Sequence, residues 1–208
     1  KKFKWLEEGS KGENVILLHG LMGGVENFGD MVNYISKECK VYGLDLRLFE
    51  GIKLNVSVKK LSDYLFSFMN HLNIKKAVLI GNSMGGHIGL IFAKEHPEMV
   101  KGLILTGSSG LFENSMGDSF PRRVDYNYIK KKTEEVFYDP KVATKELVDR
   151  VFKLANNRIN LLKLLAYAKS AIRHNMAEDI PNLKMPVSLI WGENDKVTPP
   201  HVAEEFHK

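Results

Sequence analysis

Ala77-Val78-Leu79-Ile80-Gly81-Asn82-Ser83-Met84-Gly85-Gly86-His87 is a short apolar run that stops at Gly81 and resumes as a helical pattern from Met84 to about His96. The run reads as a buried strand. Between strand and helix lies G-x-S-x-G: Gly81, Asn82, Ser83, Met84, Gly85. A serine at so sharp a turn is held in a strained backbone conformation with its hydroxyl above the sheet. The positions two before and two after it then need to lack a side chain, and Gly81 and Gly85 meet that need. Gly86 lets the helix lie close on the strand. The helix N-terminus turns free N–H groups and the positive end of its dipole toward any oxyanion that forms above Ser83.

Outward from this stretch, continuous apolar runs recur between helical patterns. Strands are expected at Asn14–Leu18, Val41–Leu46, Gly102–Thr106 and Pro186–Trp191, with a short edge strand at Phe3–Leu6. Helices are expected at about Asn27–Lys37 and Val58–Leu72. Alternation of this kind means a mostly parallel, doubly wound α/β sheet covered on both faces. One interval breaks it. From Leu111 to Leu183 there is no strand pattern, and helices are expected at about Asp125–Phe137, Ala143–Asn156 and Asn160–Asn175. The last carries Leu161, Leu164, Leu165, Ala168 and Ile172 on one face. The chain therefore divides into a sheet core (1–110 and 184–208) and an inserted helical lid (111–183).

With 208 residues, 44% of them hydrophobic, one substantial core is expected. The net charge is +5, and the densest basic run, Lys130-Lys131-Lys132, is followed by Glu134-Glu135. This is a solvated helix face, so no nucleic-acid partner is expected. No apolar stretch is long enough to cross a membrane, and the first residues do not read as a signal peptide. The single cysteine, Cys39, excludes an internal disulfide framework and fits a reducing compartment, so a cytoplasmic location is expected. No metal or cofactor is expected: the histidines and carboxylates lack ligand spacing, and Gly81–Gly86 lacks the lysine of a P-loop. A homo-oligomer is compatible with the sequence.

Four segments together carry a family resemblance: His19-Gly20 after a strand, Gly81-Asn82-Ser83-Met84-Gly85-Gly86, Gly107-Ser108-Ser109-Gly110, and Trp191-Gly192-Glu193-Asn194-Asp195. The chain resembles an α/β-hydrolase of the cap-bearing serine esterase and carbon–carbon (meta-cleavage product) hydrolase type, over nearly its whole length. The resemblance implies Ser83 as the nucleophile of an acyl-enzyme mechanism on a small ester. It implies Asp195 as the carboxylate that orients a histidine, and the backbone N–H groups of Met84 and Leu21 as oxyanion donors. Asp195 also suits an Asx-turn before the Pro199-Pro200 helix start. Asp45 ends a strand as well, but Leu46-Arg47-Leu48-Phe49 stands where the family carries a Gly-rich turn. The serine argues against dehalogenases and epoxide hydrolases, which need a carboxylate at that position. The motif and the Gly107–Leu111 turn also resemble dienoate hydrolases, whose substrate carboxylate calls for an arginine; Arg150 and Arg173 are the candidates. Met22, Met84 and Met116 are candidate pocket lining. A non-catalytic ligand-binding member of the fold is the remaining alternative.

The base is missing from this scheme. In the family it follows one more strand after the carboxylate, and the residues after Asp195 supply neither strand nor Gly-His loop. The seven histidines, His19, His71, His87, His96, His174, His201 and His207, read as bracing, surface or capping residues. The expectation is that the final strand and histidine loop lie outside these 208 residues. Alone, the chain would then expose the Pro186–Trp191 strand as a sheet edge and turn over substrate poorly.

Overall fold

The computed structural model describes residues 3–52, 54–112 and 122–208. The strands are β1 (Trp5–Glu8), β2 (Asn14–Leu18), β3 (Lys40–Leu44), β4 (Ala77–Asn82), β5 (Val100–Thr106) and β6 (Val187–Ile190). They form one sheet in the order β1-β3-β2-β4-β5-β6. β1 runs antiparallel to β3, and every other pairing is parallel. The doubly wound sheet expected from the sequence is what the chain forms.

Strand alternation sorts the side chains into two faces. Ile16, Leu18, Leu44, Leu79, Leu103 and Leu105 point to one side and pack with α2 (Val58–His71) and α3 (Met84–Glu95). Val15, Leu17, Val41 and Ile80 point to the other and meet Val32 of α1 (Asp30–Ile35). The expected helix at 27–37 is shorter, because Gly29 at φ 44° separates a 3-10 turn, Val25–Phe28, from α1. α2 starts at Ser57, whose hydroxyl accepts from Lys60 N at 3.1 Å, and buries Val58, Leu61, Leu65 and Phe68 at helical spacing. α3 is buried from Met84 through Ala93, all round its first turns.

Among the described residues, three α-helices lie between β5 and β6: α4 (Tyr126–Glu134), α5 (Lys145–Asn156) and α6 (Arg158–Arg173). α7 (Pro200–His207) follows β6 and buries Val202 and Phe206 against the α2–α3 side. The buried face of α6 differs from the expected one. Leu165 and Ile172 are exposed, and Lys163, Tyr167, Ser170 and Ala171 are buried instead. β6 is an edge strand, with Val187 and Ile190 exposed.

Candidate active site

Ser83 follows the last residue of β4 and caps α3 at φ 52°, ψ −119°. A side chain in this region costs on the order of 1–3 kcal/mol. Its surroundings hold it there. Ser83 N donates to Thr106 O at 3.0 Å, and Ser83 O accepts from Gly86 N at 3.0 Å and Ser109 N at 3.2 Å. A Cβ on Gly81 would stand 2.5 Å from Gly86 Cα, and one on Gly85 would collide with the Leu18 carbonyl. Neither position can carry a side chain. The Ser108 side chain fills the space beside Gly86.

The loop after β2 passes alongside. A Cβ on Gly20 would lie 3.4 Å from Ser83 Cβ, so the His19–Leu21 backbone runs against the Ser83 turn. Leu21 is buried at this crossing, and Met84 opens α3, where its N–H has no intrahelical acceptor. His19 fixes the loop. Its Nδ1 lies 2.9 Å from Gly20 O and its Nε2 accepts from Leu46 N at 3.1 Å. The carbonyl can only accept, so Nδ1 carries the proton and the ring is neutral. Burial pushes its pKa down, which agrees. A ring committed at both nitrogens braces the loop and has no nitrogen left for acid–base work.

The Asp45 side, which lacks a Gly-rich turn, is built from other parts. Asp45 Oδ1 accepts from Arg47 N at 2.9 Å. Arg47 itself takes the left-handed conformation, φ 50°, and its guanidinium pairs with Glu50. Lys163 of α6 donates to Glu50 O at 2.7 Å and Gly51 O at 2.6 Å. Tyr167 OH donates to Leu48 O at 3.2 Å, and burial raises its pKa to about 12. A buried ammonium thus closes the turn from outside.

Asp195 lies past β6, two strands from Ser83, with the Gly107–Gly110 turn between them. Its Oδ1 accepts from Val197 N at 2.8 Å and Thr198 N at 2.9 Å. Its Oδ2 sits where a Cβ on Gly107 would approach to 3.0 Å. The Thr198 hydroxyl is 3.1 Å from Oδ2 and 3.0 Å from Gly107 O, with one proton to give. The two oxygens of Asp195 are differently engaged. Oδ1 holds the turn, and Oδ2 keeps capacity for another donor on the Gly107 side.

None of the donors given for Asp195 is an imidazole. His201 packs edge-on against Phe112, with centroids 5.5 Å apart, and His207 borders the cleft beside α7. His96 stacks on Phe66, and His71 joins Phe3 and Trp5. His87 is no surface residue. It is fully buried, with Nε2 2.8 Å from His174 O.

Of the remaining candidates, Arg150 on α5 pairs with Glu26 in the turn after Gly23-Gly24. Arg173 is exposed in the last turn of α6. Met22 packs with the α4–α5 cluster of Ile129, Val151 and Ala155. Met116 lies outside the described residues. No helix among the described residues is long and apolar enough to cross a membrane.

A family model described as the alpha/beta hydrolase fold matches residues 13–165. The uncharacterized hydrolase YugF of Bacillus subtilis is 22% identical over 211 residues, spanning 94% of this chain and 77% of that protein. A 2-hydroxy-6-oxo-6-(2'-aminophenyl)hexa-2,4-dienoic acid hydrolase of Metapseudomonas resinovorans is 27% identical over 226 residues, spanning 98% and 74%. Among solved structures, an alpha/beta hydrolase enzyme from a lagoon-sediment metagenome (Mar Chica, Morocco) shares 40% identity at TM-score 0.79, over all of this chain and 80% of that one. A meta-cleavage product hydrolase of Pseudomonas fluorescens, 22% identical, has the same fold at TM-score 0.80, over 99% and 81%.

Proposed function

The chain belongs to the alpha/beta hydrolase fold family, and we propose that it cleaves a small-molecule acyl ester through an acyl-enzyme on Ser83. The observation that carries this reading is the backbone of Ser83, held at φ 52° between β4 and the start of α3 while the 19–21 loop presses on its Cβ. Strain of this kind clusters at functional sites, and here it lifts a hydroxyl clear of the sheet. In the proposed reaction Ser83 Oγ attacks the ester carbonyl, and the N–H groups of Met84 and Leu21 take the oxyanion. The alkoxide leaves with a proton, and water releases the acyl group. Asp195 Oδ2 orients the base. The helices between β5 and β6 act as a lid that excludes water. The reaction requires an imidazole base, and among the described residues no histidine donates to Asp195. The single cysteine supports a reducing, cytoplasmic setting.

The test is p-nitrophenyl acetate turnover and fluorophosphonate labelling of the full-length protein and of residues 1–208. Full-length protein should be labelled at Ser83 and silenced by Ser83→Ala, with 1–208 slower by at least about 10³-fold. Fast turnover by 1–208 that His201→Ala or His207→Ala abolishes would overturn the assignment of the base. A full-length protein whose Ser83 resists the probe would favour a non-catalytic binding role.

A second reading is supported by the dienoic acid hydrolase relative: cleavage of a carbon–carbon bond in a dienoate substrate. Such a substrate brings a carboxylate that would compete with Glu26 for Arg150, or engage Arg173. Assaying an aryl-dienoate beside short acyl esters separates the two.

A further inference from the structure

His87 is the buried imidazole to which the proposed reaction gives no part. It stands on α3 one turn beyond Ser83, completely buried. A leucine or phenylalanine would fill that space without a polar atom to satisfy. Its Nε2 lies 2.8 Å from the carbonyl of His174, which can only accept, so Nε2 carries the proton. His174 caps the C-terminus of α6, where carbonyls have no intrahelical donor.

Three segments converge at this bond. His174 Nδ1 is 2.8 Å from Ser170 O and closes the last turn of α6. Two residues on, Met176 N donates to Gly110 O at 2.8 Å. Gly110 in turn lies against the His87 ring, where an added Cβ would stand 3.6 Å from Cδ2. Its neighbour Ser109 donates to Ser83 O. The nucleophile turn, the Gly107–Gly110 turn and the chain returning from α6 therefore meet around one ring.

We propose that His87 is a positioning residue whose Nε2–H ties the C-terminal end of α6 to the nucleophile helix, so that the seating of the inserted helices is transmitted to Ser83. Its meaning for catalysis rests on Ser83 being the nucleophile. Its test does not use turnover, so the two can fail separately. The titratable group that faces His87 from α6 is His174. Burial drives the His87 pKa down to about 4, as a neutral donor requires.

Amide hydrogen exchange on residues 1–208 reads the tie directly, with His87→Gln as a variant that keeps an N–H near the Nε2 position and His87→Phe as one that keeps the ring and loses the donor. Exchange at His174 and Met176 should rise at least about tenfold in His87→Phe and stay within about twofold of wild type in His87→Gln. The amides of β2 and β4 should not change. Equal acceleration in both variants, or none in His87→Phe, overturns the proposal. Where His87→Phe fails to fold, 15N spectra of the wild-type imidazole decide. A neutral ring protonated on Nε2 and unchanged down to pH 5 upholds it, and titration near pH 6.5 or a proton on Nδ1 overturns it.

Discussion

The two halves of the insertion are attached to the sheet in opposite ways. α6 is fixed by polar side chains reaching backbone atoms of the core: Lys163 to Glu50 O and Gly51 O, Tyr167 to Leu48 O, Ser170 from Val58 N, and His174 O from His87. These bonds are buried or part-buried, and a partner lost from a buried site costs about 1–3 kcal/mol. α4 and α5 instead pack mainly on each other, around Ile129, Val151 and Ala155. Among the described residues, Met22 and the exposed Arg150–Glu26 pair join them to the loop after β2, and α5 also packs on α6. A pair of that kind contributes at most about 1 kcal/mol and is screened by salt. One insertion thus contains a fixed member and a lightly held one, and the lightly held one rests on the loop that carries Leu21.

The largest expected effect tests the fixed half. Lys163→Ala should lower unfolding stability by about 4 kcal/mol, since it removes two hydrogen bonds from a buried ammonium and opens a cavity. Urea denaturation checks it, and a loss under about 1 kcal/mol would break the contrast. Acid should act next. The pKa of His87 is about 4 in the folded chain and ordinarily 6.5, so the unfolded chain takes up the proton first. Stability is then fully present above pH 6.5 and is lost as pH falls toward 4, by about 3 kcal/mol from this residue, with buried His19 acting in the same direction. His87→Gln should flatten that slope, whereas Arg150→Ala should leave it intact. Tyr167→Phe, deleting one hydroxyl, should cost about 1 kcal/mol by thermal unfolding. Smallest of all, Arg150→Ala should change global stability by about 0.5 kcal/mol or less. It should nevertheless speed exchange of α4 and α5 amides, and 1 M salt should reproduce this in the wild type.

The same contrast marks how much of the molecule was legible in its residues. The sheet was, because parallel strands buried on both faces are continuous apolar runs and Gly81, Ser83 and Gly85 sit at the spacing a strand-to-helix turn imposes. The apolar face of α6 was legible only in part, since Ala168 is buried and Leu164 packs on the core. Hydrophobic periodicity pointed to Leu165 and Ile172, but Lys163, Tyr167 and Ser170 face inward because distant carbonyls and an N–H satisfy them. A hydrogen bond to a backbone atom more than a hundred residues away leaves no period in the sequence. His87 was read as a surface or capping residue for the same reason, since its acceptor is the backbone of His174. In the candidate site, the Asx-turn reading of Asp195 is the one seen in its hydrogen bonds, from Val197 N and Thr198 N to Oδ1.

The place of β6 in the sheet also sets an order of assembly. β2 through β5 are joined by single crossovers, but the chain leaves β5 at Thr106 and returns only at Val187. Closing a longer loop costs little in free energy, about 0.6 kcal/mol per doubling, but distant pairings form late. The Ser83 turn depends on β4, β5 and α3, so it can form while β6 is still unpaired. Asp195 depends on β6 and arrives with it. Folding is therefore expected to pass through a stage in which the strained serine is present and the Asp195 loop is not yet docked.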